Sequence, residues 1–248
     1  MNHDRAGNNQ PLAHPSSAGE TAPPRGSDSP GCGSEHGLRG GTRPDGTNPR
    51  DTRPDHATRY VETARGILSY SELAPLLAER VAGVELAIYS GAFDSMVLDE
   101  GFLLNIHRQI CGDLVPEWAG HWRDIEVQVG NLRPARPFQL PVLMRDYVLD
   151  LQAQWEAAST ETPSALEFLA FAEGRFLTVH PFRDFNGRTV RLLLTELLRR
   201  LDLPRVTLAP EDTESRATYF LALEAADQLD WRPLISVWEQ RLVQAESS

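Results

Sequence analysis

Large apolar side chains are almost missing from the first 58 residues, where after Met1 only Leu12 and Leu38 interrupt Gly, Pro, Ser, Asn, Asp and Arg. Such a stretch cannot bury enough surface to offset the entropy of ordering it, so residues 1–58 are expected to be a disordered, low-complexity tail. The pattern changes near residue 71. Leu73, Leu76, Leu77 and Val81 recur at helical intervals behind Ser71, a candidate cap. The same spacing predicts helices over 71–82, 84–91, 95–111, 140–157, 163–178, 186–201, 213–228 and 231–243. One segment departs from it: between Gly120 and Pro137, Ile125, Val127 and Val129 alternate with Asp124, Glu126 and Gln128 before Gly130 and Asn131. That period of two predicts a short β-hairpin. No repeat of solenoid period occurs. The expected fold class is mainly α: one helical domain over residues 59–248 with a single short β-hairpin, preceded by the tail.

Charge narrows the partners. Residues 59–248 hold 18 Arg against 28 acidic residues, a net charge of −10. Nucleic-acid affinity comes largely from neutralising phosphates with basic side chains, so no nucleic-acid partner is expected. No run of 18 apolar residues occurs, and the N-terminus lacks the apolar core of a signal peptide. The expectation is a cytoplasmic protein without a membrane partner, with secretion into a host cell left open. Cys32 and Cys111 provide neither a disulfide framework nor a ligand cluster. Four of the seven histidines lie in the tail at irregular spacing, which argues against a metal site there.

Chemistry concentrates in His180-Pro-Phe-Arg-Asp-Phe-Asn-Gly-Arg-Thr-Val-Arg191. Pro181 disfavours helical geometry at His180, so the preceding helix should end there. Asn186 is a good N-cap for the next helix, whose apolar positions Val190, Leu193, Leu194, Leu197, Leu198 and Leu201 keep the 3.6 period. A helix starting here leaves amides near Gly187, Arg188 and Thr189 without intrahelical acceptors, a natural seat for an anion. Gly187 permits close approach, and Arg188 and Arg191, three apart, suit a polyphosphate. Asp184 offers a hard oxygen ligand for Mg²⁺, and His180 can take a proton near neutral pH.

This segment resembles the signature loop of the Fic family, His-Pro-Phe-x-Asp/Glu-Gly-Asn-Gly-Arg-x-x-Arg, at eight of nine specified positions. Weaker similarity reaches over roughly 95–243, through Ile106-His107, Ala119-Gly120-His121-Trp122-Arg123 and Tyr219 to Leu234. The resemblance implies a protein adenylyltransferase that moves AMP from Mg·ATP to a Ser, Thr or Tyr hydroxyl of a target protein. By the same resemblance His180 is the base, Asp184 holds Mg²⁺, Asn186 and the Gly187 amide grip the α-phosphate, Arg188 the β-phosphate and Arg191 the γ-phosphate. Phe182 anchors the loop in the core, and His107 and His121 have supporting roles. The hairpin near 121–137 resembles the family's flap, which docks an extended target segment strand to strand.

Phe185 departs from the pattern, which has Gly or Ala there. A ring packed outward leaves the anion site intact, whereas one turned inward impairs phosphate binding and leaves a protein-interaction module. Transfer of UMP, phosphate or phosphocholine on the same fold is the other alternative. Relatives that phosphorylate carry Lys at the Gly187 position, so Gly187 favours attack at the α-phosphate. Many Fic proteins are restrained by a Ser/Thr-x-x-x-Glu-Gly/Asn helix. Thr58 to Glu62 has that spacing but is followed by Thr63, and Glu100-Gly101 has Met96 where a hydroxyl is needed, so a separate small antitoxin protein is the expected restraint.

Overall fold

A computed structural model describes residues 60–210 and 212–247. The expected tail over 1–58 lies outside the described residues. An antiparallel strand pair, β1 (Tyr60–Thr63) and β2 (Gly66–Ser69), opens the described chain. Seven α-helices follow among the described residues: α1 (Tyr70–Tyr89), α2 (Glu100–Cys111), α3 (Leu140–Ala158), α4 (Thr162–Val179), α5 (Asn186–Arg200), α6 (Thr213–Ala226) and α7 (Arg232–Glu246). The fold is mainly helical, as the apolar spacing predicts.

The strand pair is not where the alternating pattern placed it. Tyr60 pairs with Ser69 and Thr63 with Gly66 around a tight turn. Gly66 has φ 101°, a conformation only glycine adopts cheaply, and the Thr63 hydroxyl donates to its carbonyl. Over 121–137 the expected hairpin is reduced to one bridge between Val129 and Leu132. Pro134 and Pro137 have no N–H to give to a ladder, and the Ile125 and Ala135 carbonyls are taken by the Arg123 guanidinium.

Two predicted helices, 71–82 and 84–91, form the single helix α1. Leu73, Leu77, Val84 and Ile88 share its buried face, and a Cβ at Gly83 would meet nothing within 4 Å, so that glycine relieves no contact and marks no break. Its cap is Ser69 rather than Ser71, closed by reciprocal bonds with Glu72 as a capping box. The helix expected from residue 95 starts at Glu100, because the Asp99 carboxylate accepts from the Phe102 amide.

Helix α4 is central and packs against α3, α5, α6 and α7, while α5 packs against α1, α2 and α4. Gly174 lets α4 and α7 meet: a Cβ there would lie 2.7 Å from the Trp231 ring and 3.0 Å from Leu234. Surrounded on several sides, α5 buries Leu192, Leu193, Leu194 and Leu197 completely. Its buried Glu196 is paired with Arg199 and Arg200, as a carboxylate away from water requires. The loop between α4 and α5 is therefore held at both ends by the best-packed helices of the domain.

Candidate active site

The loop begins where α4 ends. His180 adopts a left-handed conformation (φ 50°, ψ 62°), and its amide still donates to the Phe176 carbonyl, 2.9 Å. Its Nδ1 lies 3.3 Å from the Leu177 carbonyl. A carbonyl only accepts, so the bond requires the Nδ1–H tautomer and puts the basic lone pair on Nε2. The Leu177 carbonyl thus sets which ring nitrogen of His180 is able to accept a proton.

Phe182 is fully buried and stacks on His107, with ring centroids 3.8 Å apart and planes 1° from parallel. The ring of Phe182 thus lies in the core, where Trp122 and Phe176 also adjoin it. His107 is itself fully buried. Its Nδ1 accepts the Gly120 amide, 2.9 Å, which leaves Nε2–H to donate to the Asp184 carbonyl, 3.2 Å. Burial holds its imidazole neutral, with a pKa lowered to about 4, against the opposing pull of the Asp184 carbonyl. The supporting role expected for His107 is now specific: it spans the Gly120 turn and the loop.

Asn186 differs from expectation. It is the first residue of α5, not its N-cap; Phe185 holds that place in a left-handed conformation (φ 60°, ψ 15°) without a side-chain cap bond. The Asn186 carboxamide instead turns back on the loop, accepting the Phe182 amide and donating to the Phe182 carbonyl, each at 2.9 Å. Helix start is satisfied by the Phe185 carbonyl, which accepts the Arg188 and Thr189 amides at 3.0 Å and the Thr189 hydroxyl at 3.1 Å. The anion seat is therefore narrower than expected: among the described residues, the amides left without an acceptor at this helix start are those of Asn186 and Gly187.

Phe185 is 3% exposed, with its ring among Trp118 (5.7 Å between centroids), His107 and Tyr70. The ring turns inward, the placement expected to impair phosphate binding, but it packs into the core, and none of its atoms comes within 4 Å of a Cβ built on Gly187. A Cβ built on Gly187 would meet only the Arg191 guanidinium, at 3.5 Å. Arg188 lies with its guanidinium carbon 5.9 Å from the Phe185 centroid. Arg191 is largely buried: desolvation depresses its guanidinium pKa, opposed by Tyr219 and reinforced by Arg188, and Glu173 and Arg241 are also in range. Around Gly187 the structure thus brings together a backbone with a single close side-chain neighbour, Arg191, two amides without an acceptor and the charge of two arginines.

Asp184 Oδ1 accepts the Phe185 amide at 2.8 Å and the Tyr70 hydroxyl at 2.7 Å. Among the described residues no group of three or more His, Cys, Asp or Glu could hold a metal. One carboxylate beside a helix start that carries two arginines would suit a Mg²⁺ arriving with a nucleotide, since Mg²⁺ takes one or two carboxylates plus substrate phosphates.

Two features escaped sequence reasoning. Tyr70, 114 positions before Asp184, carries no local signal. Glu173 does carry one, as a lone carboxylate in an apolar run. It is fully buried and takes the Arg241 guanidinium at 2.8 Å and the Tyr219 hydroxyl at 2.7 Å. Tyr219 is thus engaged with Glu173. An open depression of about 250 Å³ beside the loop is lined by Glu117, Trp118, His121, Trp122, Asp124 and Arg183. A larger one, about 480 Å³, lies near Phe171, Trp231 and Arg232, and its lining includes neither His180, Arg188 nor Arg191.

One loop of a helical domain thus runs from an imidazole at the end of α4 to two amides without an acceptor and two arginines at the start of α5. A sequence profile of the Fic/DOC family matches residues 97–198, so the chain contains a Fic/DOC family domain. Protein adenylyltransferase fic-1 of Caenorhabditis elegans is 34% identical over 149 residues, which cover 60% of this chain and 28% of the relative. This chain accordingly spans less than a third of that relative. The solved structure of Fic-1 (residues 134–508) from C. elegans superposes with a TM-score of 0.53 at 26% identity, covering 70% of this chain and 55% of that one. BepC of Bartonella tribocorum, a VirB-translocated effector solved with bound AMPPNP, shares the fold at 18% identity, with a TM-score of 0.58 over 75% of this chain and 93% of that one.

Proposed function

We propose that this chain is a protein adenylyltransferase that transfers AMP from Mg·ATP to a hydroxyl side chain of another protein. The observation that carries it is a single loop with His180, its Nδ1 turned to the Leu177 carbonyl, at one end and Gly187, Arg188 and Arg191 at the other. His180 takes the proton of the target hydroxyl, whose oxygen attacks the α-phosphorus; the bond to the bridging α–β oxygen breaks and pyrophosphate leaves. Arg188 and Arg191 balance the charge on the β- and γ-phosphates, and the Asn186 and Gly187 amides face the α-phosphate. The Asn186 side chain, committed to Phe182, acts by shaping the loop. Asp184 is the residue to hold Mg²⁺, which when bound neutralises phosphate charge.

Segment 121–137 is the proposed docking site for the target. Its support is that Ile125 and Val129 are exposed and that the segment is tied to the loop, the Arg123 amide donating to the Pro181 carbonyl. Restraint by a separate small antitoxin protein is also proposed. Glu62 sits exposed in strand β1 rather than on a helix facing Arg191, so Glu62→Gly is expected to leave self-modification unchanged; a strong rise would favour internal inhibition instead. A cytoplasmic site of action accords with the finding that no described helix is long and apolar enough to cross a membrane.

The test is incubation of the purified chain and its His180→Ala variant with Mg²⁺ and ATP labelled at the α- or γ-phosphate, in bacterial and host-cell lysates. Transfer of α-label by the wild type, lost in the variant, supports adenylylation. Transfer of γ-label indicates phosphorylation. No transfer and no Mg·ATP binding would replace the enzyme with a protein-interaction module.

A further inference from the structure

Arg123 stands at the seam between the proposed docking segment and the catalytic loop. It is 2% exposed, yet none of its hydrogen bonds goes to a carboxylate: Nε donates to the His180 carbonyl at 2.8 Å, Nη1 to Ile125 at 3.0 Å, and Nη2 to Ala135 and, at 3.4 Å, to Val179. Its own amide donates to the Pro181 carbonyl at 2.9 Å. One side chain thus ties together both arms of segment 121–137 and the last carbonyls of α4. Those carbonyls are the orphan acceptors at a helix end, where a cation is also favoured by the dipole. Holding them demands a planar fork with several donors, which Lys cannot reproduce. On the same seam Arg183 pairs with Asp124, but Asp124 is 70% exposed and a solvated pair contributes little.

We infer that Arg123 is a positioning residue that fixes the docking segment relative to His180, so that a docked hydroxyl meets Nε2. This rests on the transferase reading above. The anion seat belongs to α5 and receives no bond from Arg123, so the clamp governs transfer and not nucleotide affinity.

The test uses the full chain carrying Arg123→Lys, with Arg123→Ala as the more severe variant. Four quantities are read: thermal unfolding, affinity for Mg²⁺ with a fluorescent ATP analogue, transfer of α-label onto the chain itself and onto lysate proteins, and the His180 imidazole resonances by NMR. The expected result for Arg123→Lys is a folded protein with nucleotide affinity within about twofold of wild type, transfer lower by about tenfold or more, and shifted His180 resonances. A displacement near 1 Å can cost up to about 10²-fold in rate, so a tenfold loss needs only a small drift. Transfer within about twofold of wild type, or nucleotide affinity falling in step with transfer, overturns the inference. If the wild type transfers no label, the transferase reading fails, and the clamp is judged on the resonances alone: His180 signals unchanged in Arg123→Lys overturn it.

Discussion

Phe185 offers two opposed effects at one position. Its backbone is left-handed at φ 60°, which costs a non-glycine residue roughly 1–2 kcal/mol, while its ring is 3% exposed among Trp118, His107 and Tyr70. Truncating a buried Phe to Ala costs about 3–5 kcal/mol. Phe185→Ala loses the ring and keeps the strain, so it should cost about 4 kcal/mol. Phe185→Gly loses the ring and releases the strain, at the expense of greater chain entropy when unfolded, and should cost about 1 kcal/mol less than Ala. Stability would then rank Phe above Gly above Ala, the reverse of the Ala-over-Gly order of an ordinary helical site. Urea unfolding of the three proteins at constant m-value reads these differences directly. In a domain of this size each kcal/mol moves Tm by about 2–4 °C, so Phe185→Ala should melt roughly 8–16 °C lower. Mg·ATP affinity, measured on the folded fraction, should change little, because the ring lies away from Gly187. A loss below about 1 kcal/mol for either variant, or Ala no less stable than Gly, would refute the buried, left-handed placement.

Gly187→Ala should separate stability from binding. The new Cβ meets only Arg191 at 3.5 Å, and Ala is the better helix former, so urea unfolding should show stability unchanged or raised by about 0.5–1 kcal/mol. Mg·ATP affinity by calorimetry should nonetheless fall about tenfold, and undiminished affinity would move the phosphate away from this amide. His107 makes stability pH-dependent. Its pKa drops from 6.5 to about 4 on folding, so at intermediate pH the unfolded chain binds the extra proton. Its contribution is fully present above pH 6.5 and is lost as pH falls towards 4, by about 3 kcal/mol in all. The stability difference between wild type and His107→Asn, measured by denaturant unfolding at pH 7.5, 6, 5 and 4, should shrink by that order; a pH-independent difference would refute it.

Much of the domain was legible along the chain because its helices carry one-sided apolar stripes, and a stripe is a local property. Helices α3, α4 and α5 are found close to their predicted bounds. Alternation misled at 121–137. There the polar and apolar residues do alternate, but an isolated hairpin is marginal, and the carbonyls a ladder would need are drawn into the Arg123 clamp.

The residues from His180 to Arg191 declare by themselves a helix stop, a base, a carboxylate, a glycine and two arginines at helical spacing, since each is a matter of residue type and short-range order. Only the tertiary structure decided what surrounds them. Which imidazole nitrogen is basic, where the Phe185 ring goes, and that Asn186 staples the loop instead of capping the helix all depend on packing and hydrogen bonds within the folded loop. Tyr70, His107 and Arg123 reach the loop from 114, 77 and 57 positions away. Long-range hydrogen bonds of this kind exist only after the hydrophobic core has brought the helices together, and no pattern of neighbouring residues encodes their partners.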